Sequence, residues 1–281
     1  MVLSRRQFLA AASAAVAATA IPVRSSWAKY DPDRFPGFKV GLQSYSLRGF
    51  DVDKAINTAG ELGCAHLEFY GGHFSPGSSA EQIEAMKKKM AEHGMAMYGH
   101  GVHGFSKDHA KNEALFKFAK AAGIKNLSAD PSPDSFESLN KLVDQYDIRI
   151  AIHNHGPSHR YNTALDVLNA VKDHDPRIGA CADLGHYIRS GEDPVEVIRL
   201  LKGRLFGIHL KDFAEQKERT KGVILGEGHL DVVGVFRALK QVEFPADGCL
   251  SLEYEENPKD PVDDIRQCLA IASEACKTAA S

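Results

Sequence analysis

The sequence predicts a single-domain α/β protein, a (β/α)8 TIM barrel. From Lys39 onward, short apolar segments alternate with amphipathic stretches of about ten to fifteen residues that have helical spacing. Strands that alternate with helices pair in parallel, and eight such units are enough to close a barrel. An open doubly wound sheet is the competing fold, but no Gly-x-Gly-x-x-Gly motif follows the first strand. The eight predicted strands are Val40–Ser46, His66–Tyr70, Met95–Gly99, Asn126–Ser128, Arg149–His153, Ile178–Ala182, Leu205–Leu210 and Cys249–Glu253.

Short polar motifs mark where several predicted helices begin. Ser79 with Gln82, and Asp134 with Glu137, have the spacing of capping boxes. Asp193-Pro194 is typical of an N-cap residue followed by proline in the first helical position. These motifs separate the strands from the helices that follow them, as the barrel requires.

The first 28 residues are predicted to be a signal peptide outside the barrel, which then occupies residues 29–281. Arg5 and Arg6 precede an alanine-rich stretch that is too short and too weakly apolar to span a membrane well. Ser26-Trp27-Ala28 has small residues where a signal peptidase cleaves. The segment resembles a twin-arginine export signal. We therefore expect a periplasmic or extracellular protein with no stable membrane insertion after cleavage.

The amino-acid composition limits the kinds of partner that the protein is expected to bind. The chain has 34 Lys and Arg residues against 37 Asp and Glu residues, and a formal charge of −3, so no basic excess favours nucleic acid. The five cysteines form no Cys-x-x-Cys pair, and we expect them to be buried free thiols. The sequence does not predict the oligomeric state.

Six of the eight predicted strands carry His, Asp or Glu after apolar residues, at or close to their carboxyl ends. Barrel enzymes build their active sites at this end of the strands, and buried charges there are costly unless they are paired or bound to metal. Imidazoles with carboxylates are the ligands that Zn²⁺, Mn²⁺ or Co²⁺ prefers. The sequence therefore predicts one such ion, with its ligands among His153, His155, Asp183, His209 and Glu253.

These strand ends carry the motifs of a known superfamily. In order along the chain they are Ile152-His-Asn-His-Gly-Pro157, Ala182-Asp-Leu-Gly-His186, Ile208-His-Leu-Lys-Asp212, Gly226-Glu-Gly228 and Leu252-Glu-Tyr-Glu255. With them the chain resembles the xylose-isomerase-like barrels, from about Val40 to Ala275. That group contains sugar and sugar-phosphate isomerases, ketose 3-epimerases, inosose dehydratases and apurinic DNA endonucleases.

The resemblance implies roles for single residues. Asp183, His209 and Glu253 match three ligands of the usual metal site, and His186 matches a histidine that holds substrate. The predicted substrate-binding residues are Glu68, His100, His186 and Glu227, and Lys211 is predicted to be catalytic. One departure stands out, because epimerases of the superfamily usually carry a glutamate at the end of the fifth strand. Here that position holds His153, with His155 two residues later.

The implied chemistry is metal-assisted proton transfer next to a carbonyl of a keto-sugar, a small carbohydrate substrate. Glu253 is the expected base, and His153 the expected acid/base partner. We expect a sugar isomerase or epimerase; the alternative is a lyase or hydratase acting on keto-sugars or 3-keto-glycosides. A metal-dependent nuclease and a non-catalytic sugar-binding barrel are weaker alternatives.

Overall fold

The computed structural model describes residues 30–281, which form one α/β barrel. The predicted signal peptide lies outside the described residues. The strands are β1 (Val40–Gln43), β2 (Leu67–Glu68), β3 (Gly99–Phe105), β4 (Asn126–Pro131), β5 (Arg149–His153), β6 (Ile178–Asp183), β7 (Leu205–Leu210), β8 (Asp212–Phe213), β9 (Gly222–Val223) and β10 (Cys249–Leu252). All but β8 and β9 join one sheet, in the order β2-β1-β10-β7-β6-β5-β4-β3.

The sheet closes on itself and is parallel throughout, which confirms the predicted fold. Its seven ladders are all parallel. Parallel bridges between His66 and Ala96 and between Phe69 and His100 join β2 to β3, the two ends of the strand order. Strands β8 and β9 form a separate antiparallel ribbon after β7. All the barrel strands therefore present their carboxyl ends on one face.

The helices surround the barrel and cover its apolar outer surface. A large cluster of buried side chains fills the space between strands and helices, including Leu42, Phe116, Ile150, Ile208 and Phe236. No helix in residues 30–281 is both long and apolar enough to cross a membrane. The helices are Val52–Glu61, Ala80–Glu92, His109–Ala122, Phe136–Tyr146, Ala164–Val171, Leu184–Arg189, Pro194–Leu200, Val232–Gln241 and Val262–Ala280.

Two of the three predicted helix starts are confirmed. Ser79 and Gln82 form a reciprocal capping box, and the Asp193 carboxylate accepts from the backbone at the start of its helix. The box predicted at Asp134 was wrong. A short 3-10 turn occupies Pro133–Ser135, the helix that follows begins without a side-chain cap, and Asp134 accepts from the Ser132 hydroxyl instead. The proline-led turn displaces the helix start beyond the reach of the Asp134 side chain.

The third strand lies later in the chain than predicted. Of the predicted strand Met95–Gly99, only Gly99 belongs to β3. The ladder to β4 runs through Gly99–Phe105, with a shift of register between His100 and His103. Val102, within that shift, is 40% exposed. Hydrophobicity misplaced this strand because it is made mainly of glycine and histidine.

The barrel interior combines glycine with buried polar side chains. A Cβ on Gly207 would lie 2.8 Å from Cys181 Sγ, and one on Gly99 would lie 2.6 Å from Cys249 Sγ. The missing side chains therefore leave room for sulfur and oxygen atoms from neighbouring strands. All five cysteines are free and buried, as predicted. The interior below the strand ends is consequently polar, which matters for the site above it.

Candidate metal centre and active site

Four side chains from neighbouring strands meet at the carboxyl end of the barrel. His153 and Asp183 end β5 and β6, His209 is the penultimate residue of β7, and Glu253 follows β10. One ligand atom from each lies within 4.8 Å of the others. His209 Nδ1 is 3.0 Å from Glu253 Oε2 and 3.8 Å from Asp183 Oδ2. We call these residues the four-residue centre.

The four-residue centre fits a divalent cation. His153 Nε2 and His209 Nδ1 face each other at 3.0 Å, an arrangement that a shared cation would explain. Asp183 Oδ2 is buried and lies 3.6 Å from His153 Nε2 and 3.8 Å from His209 Nδ1. Two imidazoles and two carboxylates form a donor set that suits Zn²⁺, Mn²⁺ or Co²⁺. The residues present therefore match the ion that the sequence predicts.

Local hydrogen bonds fix Asp183 in this position. The Asn154 side chain receives the Asp183 backbone N–H at 2.8 Å and donates to the Asp183 carbonyl at 3.0 Å. Asp183 Oδ1 accepts the backbone N–H of His186 at 2.8 Å and so caps the helix that follows β6. One carboxylate oxygen is thus engaged by the helix, and the other faces the centre.

Lys211 places a positive charge at the edge of the centre. Its ammonium lies 2.9 Å from Asp183 Oδ2, 2.7 Å from Glu253 Oε2 and 2.6 Å from Glu255 Oε1. The residue is only 6% exposed, so its charge is poorly solvated and depends on these carboxylates. Burial lowers the pKa of Lys211, but the surrounding carboxylates outweigh burial and raise it above its ordinary value.

The buried carboxylates stay ionised for the same reason. Burial raises the pKa of Glu253, yet the charges of Lys211 and His209 hold it well below its ordinary value. Burial lowers the pKa of His209, but Cys181, Glu68 and Glu253 together raise it well above the usual range. Without a metal, His209 therefore retains a proton, which a bound cation would displace.

A pocket of about 390 Å³ opens above the centre. This volume is within the range of small-molecule sites, about 300–1,000 Å³. Burial lowers the pKa of both His155 and His186 to about 3, so both imidazoles are neutral. The lining consists of Gln43, Tyr45, Tyr70, Gly71, Gly101, Val102, His153, His155, His186, Lys211, Glu253 and Glu255.

Seven of the ten predicted site residues line the pocket or lie directly beneath it. His153, His155, His186, Lys211 and Glu253 line the pocket. Asp183 and His209 lie beneath it, in the four-residue centre. His155 is outside that centre, and its ring packs against the His153 ring at a centroid distance of 4.5 Å. Of the two fifth-strand histidines, His153 therefore belongs to the four-residue centre and His155 does not.

Three residues predicted to bind substrate lie elsewhere. Glu68 is fully buried within the barrel, beneath His209. His100 is also buried, with its ring nitrogens engaged by His103 and by the Phe74 carbonyl. Glu227 is exposed and accepts a hydrogen bond from Gln267, away from the pocket. A strand-end position in the sequence does not tell whether a side chain points up into the pocket, down into the barrel or outward.

Several residues of the pocket lining were not predicted from the sequence. Tyr45 and Tyr70 pack edge to face at a centroid distance of 5.3 Å on one wall of the pocket. Glu255 pairs with Lys211 on another wall. Glu255 ends the motif Leu252-Glu-Tyr-Glu255. Because alternate residues of an extended segment point to the same side, this spacing could have indicated that Glu255 faces the site together with Glu253. Tyr45 lies in a 3-10 turn after β1 and Tyr70 in the loop after β2, although the sequence predicted both within strands.

Comparison with known proteins agrees with this architecture. A region of inosose dehydratase from Clostridium botulinum is 29% identical over 136 residues, which is 43% of this chain and 45% of that enzyme. The 3-oxo-isoapionate decarboxylase of Pectobacterium atrosepticum is 25% identical over 182 residues, 59% of this chain and 64% of that enzyme. The chain thus spans about half to two thirds of the length of these curated relatives.

A solved structure extends the comparison to most of the fold. An uncharacterized protein from Parabacteroides distasonis superposes with a TM-score of 0.66 and 26% identity, over 87% of this chain and 99% of that one. The family model described as the xylose isomerase-like TIM barrel matches residues 56–271. Together with the closed parallel barrel, this match establishes that the chain belongs to the xylose isomerase-like TIM barrel family.

Proposed function

We propose that the protein is a divalent-metal-dependent enzyme that removes a proton next to a carbonyl of a keto-sugar. The four-residue centre at the floor of the pocket carries this proposal. The ligand atoms of its members lie close together, and two of the members, His153 and Glu253, also line the pocket. A cation held there would polarise a substrate carbonyl and stabilise the enediolate that forms when the proton leaves.

Within this chemistry, Glu253 is the base. Its carboxylate is ionised because Lys211 and His209 hold its pKa low, and it is at the boundary between centre and pocket. The Lys211 ammonium, next to Glu253, donates hydrogen bonds to the oxygen on which negative charge develops. His155 and His186 are neutral imidazoles in the lining, suited to bind sugar hydroxyls.

We infer that elimination is the reaction that this geometry favours. In elimination, the C–H bond next to the carbonyl breaks and its electron pair is taken up by the carbonyl as an enolate. As the carbonyl re-forms, that pair forms a C=C bond to the next carbon while the C–O bond there breaks, and the hydroxyl leaves as water with the proton that Glu253 took up. A single carboxylate can perform both transfers, and the fifth strand supplies His153 instead of a second glutamate. The names of the two curated relatives, a dehydratase and a decarboxylase, support a lyase.

Isomerisation or epimerisation is the second candidate, favoured by Glu255. This carboxylate also lines the pocket and, like Glu253, contacts the Lys211 ammonium. An epimerase needs groups that can exchange protons on opposite faces of one carbon, and two carboxylates could serve. The role of Glu255 therefore separates the two candidates.

The charges of the pocket favour an unphosphorylated sugar. Lys211 is already paired with three carboxylates, and no arginine is among the lining residues of the described chain. The other charged side chains of the lining are the two glutamates, so the walls offer no free positive side chain to bind a phosphate. The aromatic wall of Tyr45 and Tyr70 suits the apolar face of a sugar ring. A non-phosphorylated substrate also agrees with export by residues 1–28, which we propose and which cell fractionation of the tagged full-length chain would test.

The experiment is a comparison of Glu253→Gln with Glu255→Gln in protein whose metal content is measured first. Keto-sugars and 3-keto-glycosides are screened for proton exchange in D₂O and for loss of water. We expect Glu253→Gln to abolish exchange and Glu255→Gln to retain elimination. Full exchange in Glu253→Gln would refute the assignment of the base, and loss of activity in both variants would favour an epimerase. A metal-free, inactive wild-type protein would favour a sugar-binding barrel.

A further inference from the structure

We propose that Glu68 is a positioning residue that holds the His209 ring so that its Nδ1 faces the metal. This inference rests on the metal site proposed above. Glu68 ends β2, three strands away from β7 around the barrel, and its carboxylate crosses the interior to reach His209. It is fully buried below the pocket and so acts on the site only through His209.

The contact between the two residues sets the tautomer of His209. Its Nε2 lies 3.0 Å from Glu68 Oε2. An ionised carboxylate can only accept hydrogen bonds, so Nε2 carries the proton and donates. Once a cation displaces the proton on Nδ1, its lone pair faces the centre, where Glu253 Oε2 is 3.0 Å away. A carboxylate behind a metal-binding imidazole fixes the orientation of the ring and increases its basicity.

Glu68 is itself held in place by neutral donors. Ser128 Oγ donates to Oε1 at 2.6 Å, and Ser251 Oγ donates to Oε2 at 2.8 Å. Cys249 Sγ approaches Oε2 at 3.3 Å. These groups add no positive charge, so the charge of Glu68 is directed at His209. The Ser251 hydroxyl shares Oε2 with His209 and keeps that oxygen in place, because moving it would leave buried polar groups unpaired.

A second cation is the alternative explanation for this cluster. One ligand atom each from Glu68, Cys181 and His209 would lie close enough together to bind an ion. However, both oxygens of Glu68 already accept hydrogen bonds from Ser128, Ser251 and His209. A carboxylate satisfied in this way needs no cation, and His209 Nε2 cannot both donate to it and bind an ion. One metal per chain is therefore expected.

The test compares metal binding by the wild-type protein, Glu68→Gln and Ser128→Ala. Calorimetric titration with Zn²⁺ gives affinity and stoichiometry, and the visible absorption of bound Co²⁺ reports the geometry of the ligands. Glu68→Gln keeps the shape of the side chain but removes its charge, and we expect affinity to fall about 10–100-fold. Ser128→Ala removes a hydrogen bond to Oε1, the oxygen that does not touch His209, and should leave affinity and the Co²⁺ spectrum nearly unchanged.

Urea denaturation in EDTA measures the stability of each variant separately. Equal losses of affinity in Glu68→Gln and Ser128→Ala would overturn the inference, since general weakening of the barrel would explain them. Wild-type affinity in a folded Glu68→Gln variant would also overturn it. The same holds if the wild-type protein binds two ions and Glu68→Gln loses both. If Glu68→Gln does not fold, Glu68→Asp retracts the carboxylate by one methylene, and an undiminished affinity there would refute the role. A wild-type protein that binds no metal would instead refute the metal site.

Discussion

Replacing Lys211 by methionine tests how the site balances its charge. The change removes the ammonium that lies within 2.9 Å of both Asp183 and Glu253 and keeps a side chain of similar length. Removing one partner of a buried ion pair typically costs about 3–5 kcal/mol, because the other charge is left uncompensated. For a domain of this size, each kcal/mol shifts the Tm by about 2–4 °C, so we expect a fall of roughly 6–20 °C in EDTA.

Metal should restore much of this loss. A divalent cation in the four-residue centre would compensate the same carboxylates, so the rise in Tm on adding Mn²⁺ or Zn²⁺ should be larger in Lys211→Met than in the wild type. The assay is thermal unfolding followed by far-UV circular dichroism, with EDTA and with saturating metal. Turnover should be lost in the loaded variant, because Lys211 also faces the pocket.

A matched control removes a lysine from an exposed ion pair. Lys141 pairs with Glu137 at 2.8 Å on a helix surface, where its side chain is 64% exposed. Exposed pairs contribute little to stability, so Lys141→Met should leave the Tm and the metal response close to those of the wild type. The reasoning would be refuted if Lys211→Met melted with the wild type in EDTA, or if both variants responded equally to metal.

Three further changes test other parts of the structure. The Asp212 carboxylate accepts four backbone N–H groups from the loop that contains Gly226-Glu-Gly228. Asp212→Asn should lower the free energy of unfolding in urea by about 1–3 kcal/mol, and unchanged stability would show that the loop is held by other contacts. Gly207→Ala places a Cβ 2.8 Å from Cys181 Sγ in the barrel interior. Urea titration should show a loss of about 1–3 kcal/mol from overpacking, and a neutral result would mean that the interior can yield. Tyr45, which is 37% exposed, forms the outer wall of the pocket with Tyr70. Tyr45→Ala should raise KM about 3–10-fold with kcat retained, and an unchanged KM would exclude stacking on this ring.

Much of the fold follows from local patterns in the sequence. Strands such as Arg149–His153 and Leu205–Leu210 were predicted with the bounds that the structure has, since continuous apolar segments are typical of strands buried on both faces. The third strand was misplaced because Gly99–Phe105 carries glycine and histidine where an aliphatic run was expected. Its pairing depends on neighbouring strands, which no local pattern reveals.

The candidate site could be predicted from the sequence insofar as the positions of the strand ends could be predicted. Asp183, His209 and Glu253 follow apolar residues at corresponding positions, and parallel strands bring such positions together. The depth and direction of a side chain are different, because they depend on strand stagger around the barrel. Glu68 and Glu253 both lie at strand ends, yet one is below His209 and the other faces the pocket.

The sequence by itself determined the barrel, the end of it at which the histidines and carboxylates gather, and three of the four residues that form the centre. These depend on hydrophobic spacing and on order along the chain, which are local properties. Only the tertiary structure decided that His153 rather than His155 joins the centre, that Lys211 bridges its carboxylates, and that Glu68 supports His209 from within. Such contacts join strands that are distant in sequence, and closure of the barrel brings their side chains within hydrogen-bonding distance.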